Sequence, residues 1–178
     1  ILYLMPEGAP NVFQPPTSAL AGSPTLPDRR GYNFDGCSAS ALIKLASVRQ
    51  GRIVFPSGAT YRILVLPNFP TMTPELLDKL AALVKAGATV VGPPPRKSPS
   101  LVNFPACDRE VATKAEALWG SLTPPPEART RVHGKGRIIW DDTASPGAID
   151  AASPIMNAKW IWLPQGEPAQ SAPMEALV

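Results

Sequence analysis

Two cysteines and a single histidine are the residues of this chain that could form a nucleophilic site. Cys37, Cys107 and His133 stand far apart in the sequence, and Glu127 could supply the carboxylate that orients the imidazole. A thiolate activated by a neighbouring histidine attacks carbonyl carbons. Such a site requires the fold to bring distant positions together. The composition favours the alternative, in which both thiols are free and buried.

Other pairs of residues are weaker candidates for a catalytic, sugar-binding or metal site. Asp141 and Asp142 are adjacent, and neighbours on an extended chain point to opposite sides, so they make a poor acid and base pair across a glycosidic bond. Trp160 and Trp162 share one face of a strand and could stack on a sugar, although core packing is the commoner role. Two distant thiols and one histidine leave a zinc site without ligands, so we predict no metal site.

The charge pattern argues against two large classes of partner. The net charge is +3, and the basic side chains are scattered singly or stand beside acids, so no nucleic-acid-binding face is predicted. No run approaches the roughly twenty apolar residues that cross a bilayer. The chain begins at Ile1 with no initiator Met and no targeting segment, which predicts a piece of a longer protein.

One strand, helix, strand unit, Ala59 to Pro95, organises the predicted fold. The apolar run Tyr61 to Leu66 is typical of a parallel strand buried on both faces. Thr73 is a suitable cap for a helix that ends at Gly87. Ala88 to Val91 then forms a second buried strand, and a crossover helix between the two strands makes them parallel.

The rest of the chain alternates in the same way. Further strands are predicted within Ile1 to Met5, Gly51 to Gly58 and Arg131 to Trp140, and further helices at Ser38 to Val48 and Glu110 to Leu122. This alternation predicts a doubly wound α/β sheet. The carboxyl ends of parallel strands form the binding edge of such a sheet, so Arg96 and Lys97 are expected at a site. A glutamine-hydrolysing enzyme carries its thiol on a turn after a central strand, whereas Gly92 to Pro95 contains none.

Composition also predicts the domain boundaries. Residues 1–142 form the α/β domain, which includes a long loop at 6–30 rich in Pro, Gly, Ser and Ala. Residues 143–157 are small, polar and proline-rich, as in a linker. Residues 158–178 contain the first strand of a truncated β-sandwich domain.

Several segments together resemble the bacterial α-L-rhamnosidases of glycoside hydrolase family 106. The resemblance covers most of the chain from Gly31 onward, and its specific features are MTPELL, GATVVGPPP, SPSL and the later WIWLP. It implies a fragment of a large multidomain enzyme, secreted or periplasmic, that removes terminal rhamnose from glycans. In that family a (β/α)8 barrel carries two catalytic glutamates and a calcium site, and β-sandwich domains follow.

By this resemblance the chain is a flavodoxin-like, class I glutamine-amidotransferase-like three-layer domain that follows the barrel. None of the family's catalytic motifs matches a position here, so the resemblance implies a non-catalytic accessory domain without a cofactor of its own. Its expected partners are the barrel, the β-sandwich domain and the carbohydrate substrate of the parent.

Five residues are the candidate surface facing the barrel or the substrate: Tyr32, Asn33, Asp35, Arg96 and Lys97. For Asp35, the alternative is that it orders the turn into the first helix. Two other functions stay open for the chain as a whole. One is a self-contained small-ligand or sugar-binding module, and the other is an oligomerisation domain like that of some β-galactosidases.

Overall fold

A mostly parallel sheet of six short strands, with helices packed against it, forms the described part of the chain. The computed structural model describes residues 1–8, 34–126 and 128–140. In chain order the elements are β1 (Leu2–Leu4), β2 (Asp35–Cys37), α1 (Ala39–Leu45), β3 (Ser47–Arg49), β4 (Arg52–Val54), β5 (Thr60–Tyr61), β6 (Ile63–Val65), α2 (Pro74–Ala86), β7 (Thr89–Val91), α3 (Ala106–Trp119), β8 (Arg129–His133) and β9 (Gly136–Trp140).

The strand order in the large sheet is β2-β1-β6-β7-β9-β8. All neighbours are parallel except β8, which runs antiparallel beside β9 at one edge. The register places Leu64 of β6 beside Leu2 of β1 and Val90 of β7. The α/β class and the mostly parallel sheet are therefore confirmed.

The predicted strand, helix, strand unit is present as β6, α2 and β7. The Thr73 hydroxyl accepts a hydrogen bond from the Leu76 amide at 3.3 Å, which caps the start of α2. Gly87 ends the helix at a φ of 126°, a conformation that favours glycine. Because β6 and β7 are adjacent and parallel, α2 is the crossover that the sequence predicts.

Both faces of the central strands are buried. Leu64 and Val90 belong to the core that the sheet shares with the three helices. Val65, Val91 and Ile139 alternate with that set and therefore lie on the opposite face, yet each is at most 2% exposed. Burial on two faces explains why these strands appear in the sequence as continuous apolar runs.

The first helix is shorter than predicted. Ser38 caps it as expected, with its hydroxyl accepting from the Ala41 amide at 3.2 Å, but α1 ends at Leu45. Val48, which we placed on the helix face, lies instead in β3, paired with Ile53 of β4. The reason is the turn that follows β3, where Gln50 and Gly51 both adopt positive φ and fold β3 back onto β4. Strands β3, β4 and β5 form a second, antiparallel sheet.

The remaining described elements follow the predictions closely. The helix predicted from Glu110 begins earlier, at Ala106, and ends at Gly120 in the left-handed conformation. The hairpin predicted at Gly134 to Gly136 joins β8 to β9. In the described ranges, no helix combines the length and apolar character that crossing a membrane requires.

Several predictions fall on residues outside the described ranges. These are Tyr32, Asn33, Glu127, Asp141, Asp142, Trp160, Trp162, most of the loop at 6–30, the linker at 143–157 and the strand region at 158–178. The domain boundaries therefore stay predictions.

Candidate functional site

Three neighbouring strands, β6, β7 and β9, end at the same edge of the sheet because they are parallel. In open α/β sheets, ligands bind outside this carboxyl edge. The segments that leave it are the loop from Leu66 to Thr73 and the proline-rich loop from Gly92 to Pro105. They form the candidate site and are called the carboxyl-edge loops below.

Backbone hydrogen bonds fix Arg96 and Lys97 in the carboxyl-edge loops. Both of their amides donate to the carbonyl of Pro70, at 2.8 and 3.2 Å, and the Lys97 carbonyl accepts from the Met72 amide at 3.0 Å. The Arg96 guanidinium donates to the carbonyl of Leu122 at 3.3 Å. Both side chains are exposed, so this pair presents two positive charges from an ordered backbone.

A carboxylate joins the segment after β1 to the start of α2. The two oxygens of Glu7 accept hydrogen bonds from the Thr73 amide and the Thr73 hydroxyl, at 2.6 and 2.8 Å. A negative charge is favourable at the amino end of a helix, where free amides point outward. Glu7 therefore has a structural role, since both of its oxygens are already used by the helix start.

Large apolar side chains project from the same loops into solvent. Leu101, Val102 and Phe104 are 82%, 70% and 61% exposed, and Phe69 in the preceding loop is 46% exposed. Three of the four lie within one four-residue stretch. Apolar side chains grouped in this way are typical of surfaces that contact another protein surface.

Asp35 lies away from Arg96 and Lys97. It begins β2, which three strand intervals separate from β7, a lateral distance of about 14 Å. One of its carboxylate oxygens accepts a hydrogen bond from the Tyr61 hydroxyl at 2.8 Å. Of the three predicted surface residues that the structure describes, only Arg96 and Lys97 therefore lie together. Asp35 lies in a strand and does not order the turn into the first helix.

The contact with Asp35 also contributes to a raised pKa of the Tyr61 hydroxyl. Burial raises the pKa of the Tyr61 hydroxyl to about 12, and the hydrogen bond to Asp35 and its negative charge act in the same direction. The hydroxyl therefore stays protonated and donates at neutral pH.

We expect Asp35→Asn to lower the pKa of Tyr61 from about 12 toward its ordinary value of 10, though not fully, because burial is the largest cause. The folded pKa lies above the unfolded one, so this contact stabilises the fold below pH 10, and the contribution is lost as the pH rises through 12. Ultraviolet titration of the phenolate measures the shift, and Tyr61→Phe identifies the transition. The same pKa in Asp35→Asn would contradict the assignment.

Cys37 and His133 cannot act together. Cys37 ends β2 and His133 ends β8, which are the opposite edge strands of the six-stranded sheet. Five strand intervals separate them, about 24 Å. Burial also raises the pKa of the Cys37 thiol to about 11, so only about one molecule in 10⁴ carries the thiolate at pH 7.

Cys107 is buried in the first turn of α3, beyond the carboxyl edge. Its thiol donates weakly to the carbonyl of Ser100 at 3.6 Å. His133 pairs with Gly136 at the start of β9 and therefore lies at the amino edge of the sheet. Cys107 and His133, the second possible thiol and histidine pair, thus lie at opposite ends of the strands. Both cysteines are free and buried, as the composition predicted.

The turn after β7 is closely packed around Gly92. Gly92 has a φ of 144°, and its amide donates to the Ile139 carbonyl at 2.9 Å. A Cβ at this position would lie 2.7 Å from the Cβ of Leu66. The Trp119 indole donates to the Gly92 carbonyl at 2.9 Å. No cysteine, serine or other nucleophile stands at Gly92 to Pro95, and the space around Gly92 admits no larger residue.

Sequence reasoning missed other residues at the carboxyl edge. Asn68 lies three residues after the end of β6, and Trp140 is the last residue of β9. The predicted binding edge included only the loop after β7. The strand-end rule applied to every predicted parallel strand would have found both, whereas no sequence pattern indicated the contact between Glu7 and Thr73.

Comparisons with known proteins agree on a carbohydrate-active family. The family model of glycoside hydrolase family 106, described as alpha-L-rhamnosidase, matches residues 1–154. A rhamnosidase structure from Novosphingobium sp. PP1Y matches with a TM-score of 0.52 and 34% identity, over 61% of this chain and 10% of that one. A protein of Formosa agariphila, provisionally named a beta-glucuronidase, is 42% identical over 90 residues, which are 51% of this chain and 8% of that protein.

This chain therefore spans about a tenth or less of the length of each of these two relatives. The family match, in contrast, extends over most of the chain and includes every described strand and helix. The chain belongs to glycoside hydrolase family 106, the α-L-rhamnosidase family.

Proposed function

We propose that this chain is a non-catalytic accessory domain of a larger glycoside hydrolase that acts on terminal α-L-rhamnose. The observation that carries the proposal is that the residues able to form a nucleophilic site are either absent from the turn after β7 or far apart. The turn at Gly92 to Pro95 holds no nucleophile, and Cys37 and Cys107 each lie far from His133. Within the described ranges, this arrangement keeps an enzyme-like fold without a paired thiol and histidine.

We propose further that the fold is of the flavodoxin-like and class I glutamine-amidotransferase-like type. The large sheet contains five parallel strands, in the spatial order β2, β1, β6, β7 and β9. If these five are renumbered 1 to 5 along the chain, their order in the sheet is 2-1-3-4-5. This is the strand order of flavodoxin-like proteins, and it supports the proposal.

The catalytic glutamates and the calcium ion of the parent enzyme would belong to a (β/α)8 barrel outside this chain. The small share of its relatives that the chain spans supports this allocation, because it leaves about nine tenths of their length for other domains. An exported parent with a following β-sandwich domain remains part of the same proposal.

Terminal rhamnose is the proposed substrate of the parent because the family description and the Novosphingobium structure both concern rhamnosidases. The Formosa relative carries the name of a beta-glucuronidase, so a glucuronide is the alternative substrate. Aryl derivatives of the two sugars distinguish these possibilities in one assay.

The carboxyl-edge loops are the proposed contact surface with a neighbouring domain. They combine the exposed Leu101, Val102 and Phe104 side chains with the positive charges of Arg96 and Lys97. Interfaces between domains are mixtures of this kind, with apolar contacts and a polar rim. The same apolar stretch favours the second candidate, an oligomerisation domain, and light scattering on this chain and on the parent separates the two.

The test is alanine substitution of Tyr32, Asn33, Asp35, Arg96 and Lys97 together in the full-length parent. We expect altered rhamnosidase kinetics, or a loss of about 2 kcal/mol of stability beyond that of the single Asp35→Ala variant, because an interface loses charges and hydrogen bonds. The single variant accounts for the hydrogen bond between Asp35 and Tyr61 within this domain. Lys44→Ala with Arg109→Ala, which removes two exposed charges from α1 and α3, is the control and should change neither. Unchanged kinetics, with stability no lower than that of Asp35→Ala, would refute the interface.

A further inference from the structure

A small cavity opens between the strand ends at the carboxyl edge. Its volume is about 130 Å³, and it is lined by Asn68, Phe69, Pro70, Pro93, Pro94, Arg96, Pro124 and Trp140. Four of the eight are prolines, whose rings hold the walls in a fixed shape. About 10–15 Å³ of cavity volume suffices for one water molecule, so the cavity has room for a small polar group of several non-hydrogen atoms.

Among the lining residues, Trp140 carries a buried polar atom without a partner. The side chain is 3% exposed, and its Nε1 is buried without a hydrogen-bond partner. Trp119 shows the ordinary arrangement, in which the buried Nε1 donates to a carbonyl. A buried donor normally has an acceptor, because the lost contact with water is otherwise uncompensated. The missing acceptor for Trp140 can be supplied by an occupant of the cavity.

The other lining groups define the chemistry of that occupant. Indole Nε1 and guanidinium are donors only, and the guanidinium of Arg96 has five N–H groups, of which the contact to Leu122 uses one. No carboxylate is among the lining residues. The Asn68 amide can donate or accept. An occupant that pairs with Trp140 and Arg96 must therefore accept hydrogen bonds, and a negative charge complements Arg96. A carboxylate meets both conditions and matches the planar donor geometry of arginine.

We propose that this cavity binds a carboxylate group, with Trp140 Nε1 and the Arg96 guanidinium as its donors. Both donors belong to this chain, and the site does not depend on the activity of the parent. The carboxylate has two possible sources, a small free carboxylate or an Asp or Glu side chain of a neighbouring domain.

The indole N–H signal of Trp140 in an NMR spectrum of the ¹⁵N-tryptophan-labelled 178-residue chain reports binding directly. Sodium acetate should move this signal in a saturable way, whereas equal sodium chloride and neutral acetamide should not. Trp140→Phe identifies the signal. The Trp119 indole, which already donates to Gly92, should stay in place and serves as an internal control.

Arg96→Gln should weaken acetate binding about tenfold, as expected for loss of a hydrogen bond to a charged group, and Arg109→Gln on the exposed side of α3 should leave it unchanged. The proposal is overturned if acetate moves the Trp140 signal no more than chloride does, or if Arg96→Gln binds as the unchanged chain does. The first of these results would mean that water fills the cavity.

The same signal in the full-length parent identifies the source. A Trp140 resonance already at the acetate-bound position, and insensitive to added acetate, means that a neighbouring domain supplies the carboxylate. A resonance that still responds to acetate means that the ligand is a free carboxylate. A signal at the ligand-free position that does not respond to acetate would contradict the proposal for the parent.

Discussion

Gly136→Ala is expected to remove about 3–4 kcal/mol of stability, a large share of the 5–15 kcal/mol that holds a typical domain folded. A Cβ at this position would overlap the carbonyl oxygens of Val84 and Ala88 and would lie 2.8 Å from the carbonyl carbon of Gly87. All three are backbone atoms, in the last turn of α2 and the two residues after it, and they cannot rotate away as a side chain would. Either β9 or the end of α2 must shift. Urea unfolding followed by circular dichroism measures the loss.

Gly58→Ala is the matched control for this change. Gly58, unlike Gly136, has a positive φ, of 88°, and a Cβ there would meet nothing within 4 Å. The substitution should therefore cost only the backbone strain of a left-handed residue, about 1–2 kcal/mol. If Gly136→Ala proved no more destabilising than Gly58→Ala, the close packing of β9 on the end of α2 would be wrong.

Trp119→Ala is expected to cost about 3–5 kcal/mol, the range for removing a large aromatic side chain from a core. Trp119 is 1% exposed and belongs to the core between α3 and the sheet. Its indole also donates to the Gly92 carbonyl at 2.9 Å, which connects α3 to the turn after β7. The variant thus loses apolar contacts and leaves a buried carbonyl without its donor.

Trp119→Phe separates these two effects. Phenylalanine keeps most of the apolar contact and removes only the donor, so we expect a loss of about 1–3 kcal/mol. Thermal unfolding of both variants, followed by circular dichroism, gives the comparison. Equal losses in the two variants would show that the hydrogen bond, rather than packing, dominates, and no loss in either would contradict the burial of Trp119.

The sequence predicted best those parts of the fold that local patterns determine. The helix from Thr73 to Gly87 has a cap, an apolar stripe and a stop residue, and each of these features acts within a few residues. The error at Val48 has a different origin. Its apolar spacing suits a helix, but a strand pairing with Ile53, made possible by the turn at Gln50 and Gly51, was energetically preferred.

The candidate site was harder to predict, because it depends on which strands are neighbours. Arg96 and Lys97 were found from the rule that strand ends form the binding edge. Trp140 lies 44 residues beyond Arg96 in the chain and reaches the same edge only because β9 pairs with β7. By contrast, we predicted from the sequence that Asp35 and Arg96 share one surface, but the observed strand order separates them.

The central claim, that this domain supports a rhamnosidase without taking part in its chemistry, is tested most directly in the full-length parent. The measurement is hydrolysis of an aryl α-L-rhamnoside, with an aryl β-D-glucuronide in parallel, by the unchanged enzyme and by a Cys37→Ala, Cys107→Ala, His133→Gln variant. Circular dichroism checks that both are folded.

We predict that the unchanged parent hydrolyses the rhamnoside and that the triple variant keeps kcat within about twofold, since none of the three residues would touch the substrate. Loss of a nucleophile or a general base lowers kcat by at least about 10²-fold. A loss of that size in the folded variant would contradict the account. So would a parent that hydrolyses neither substrate.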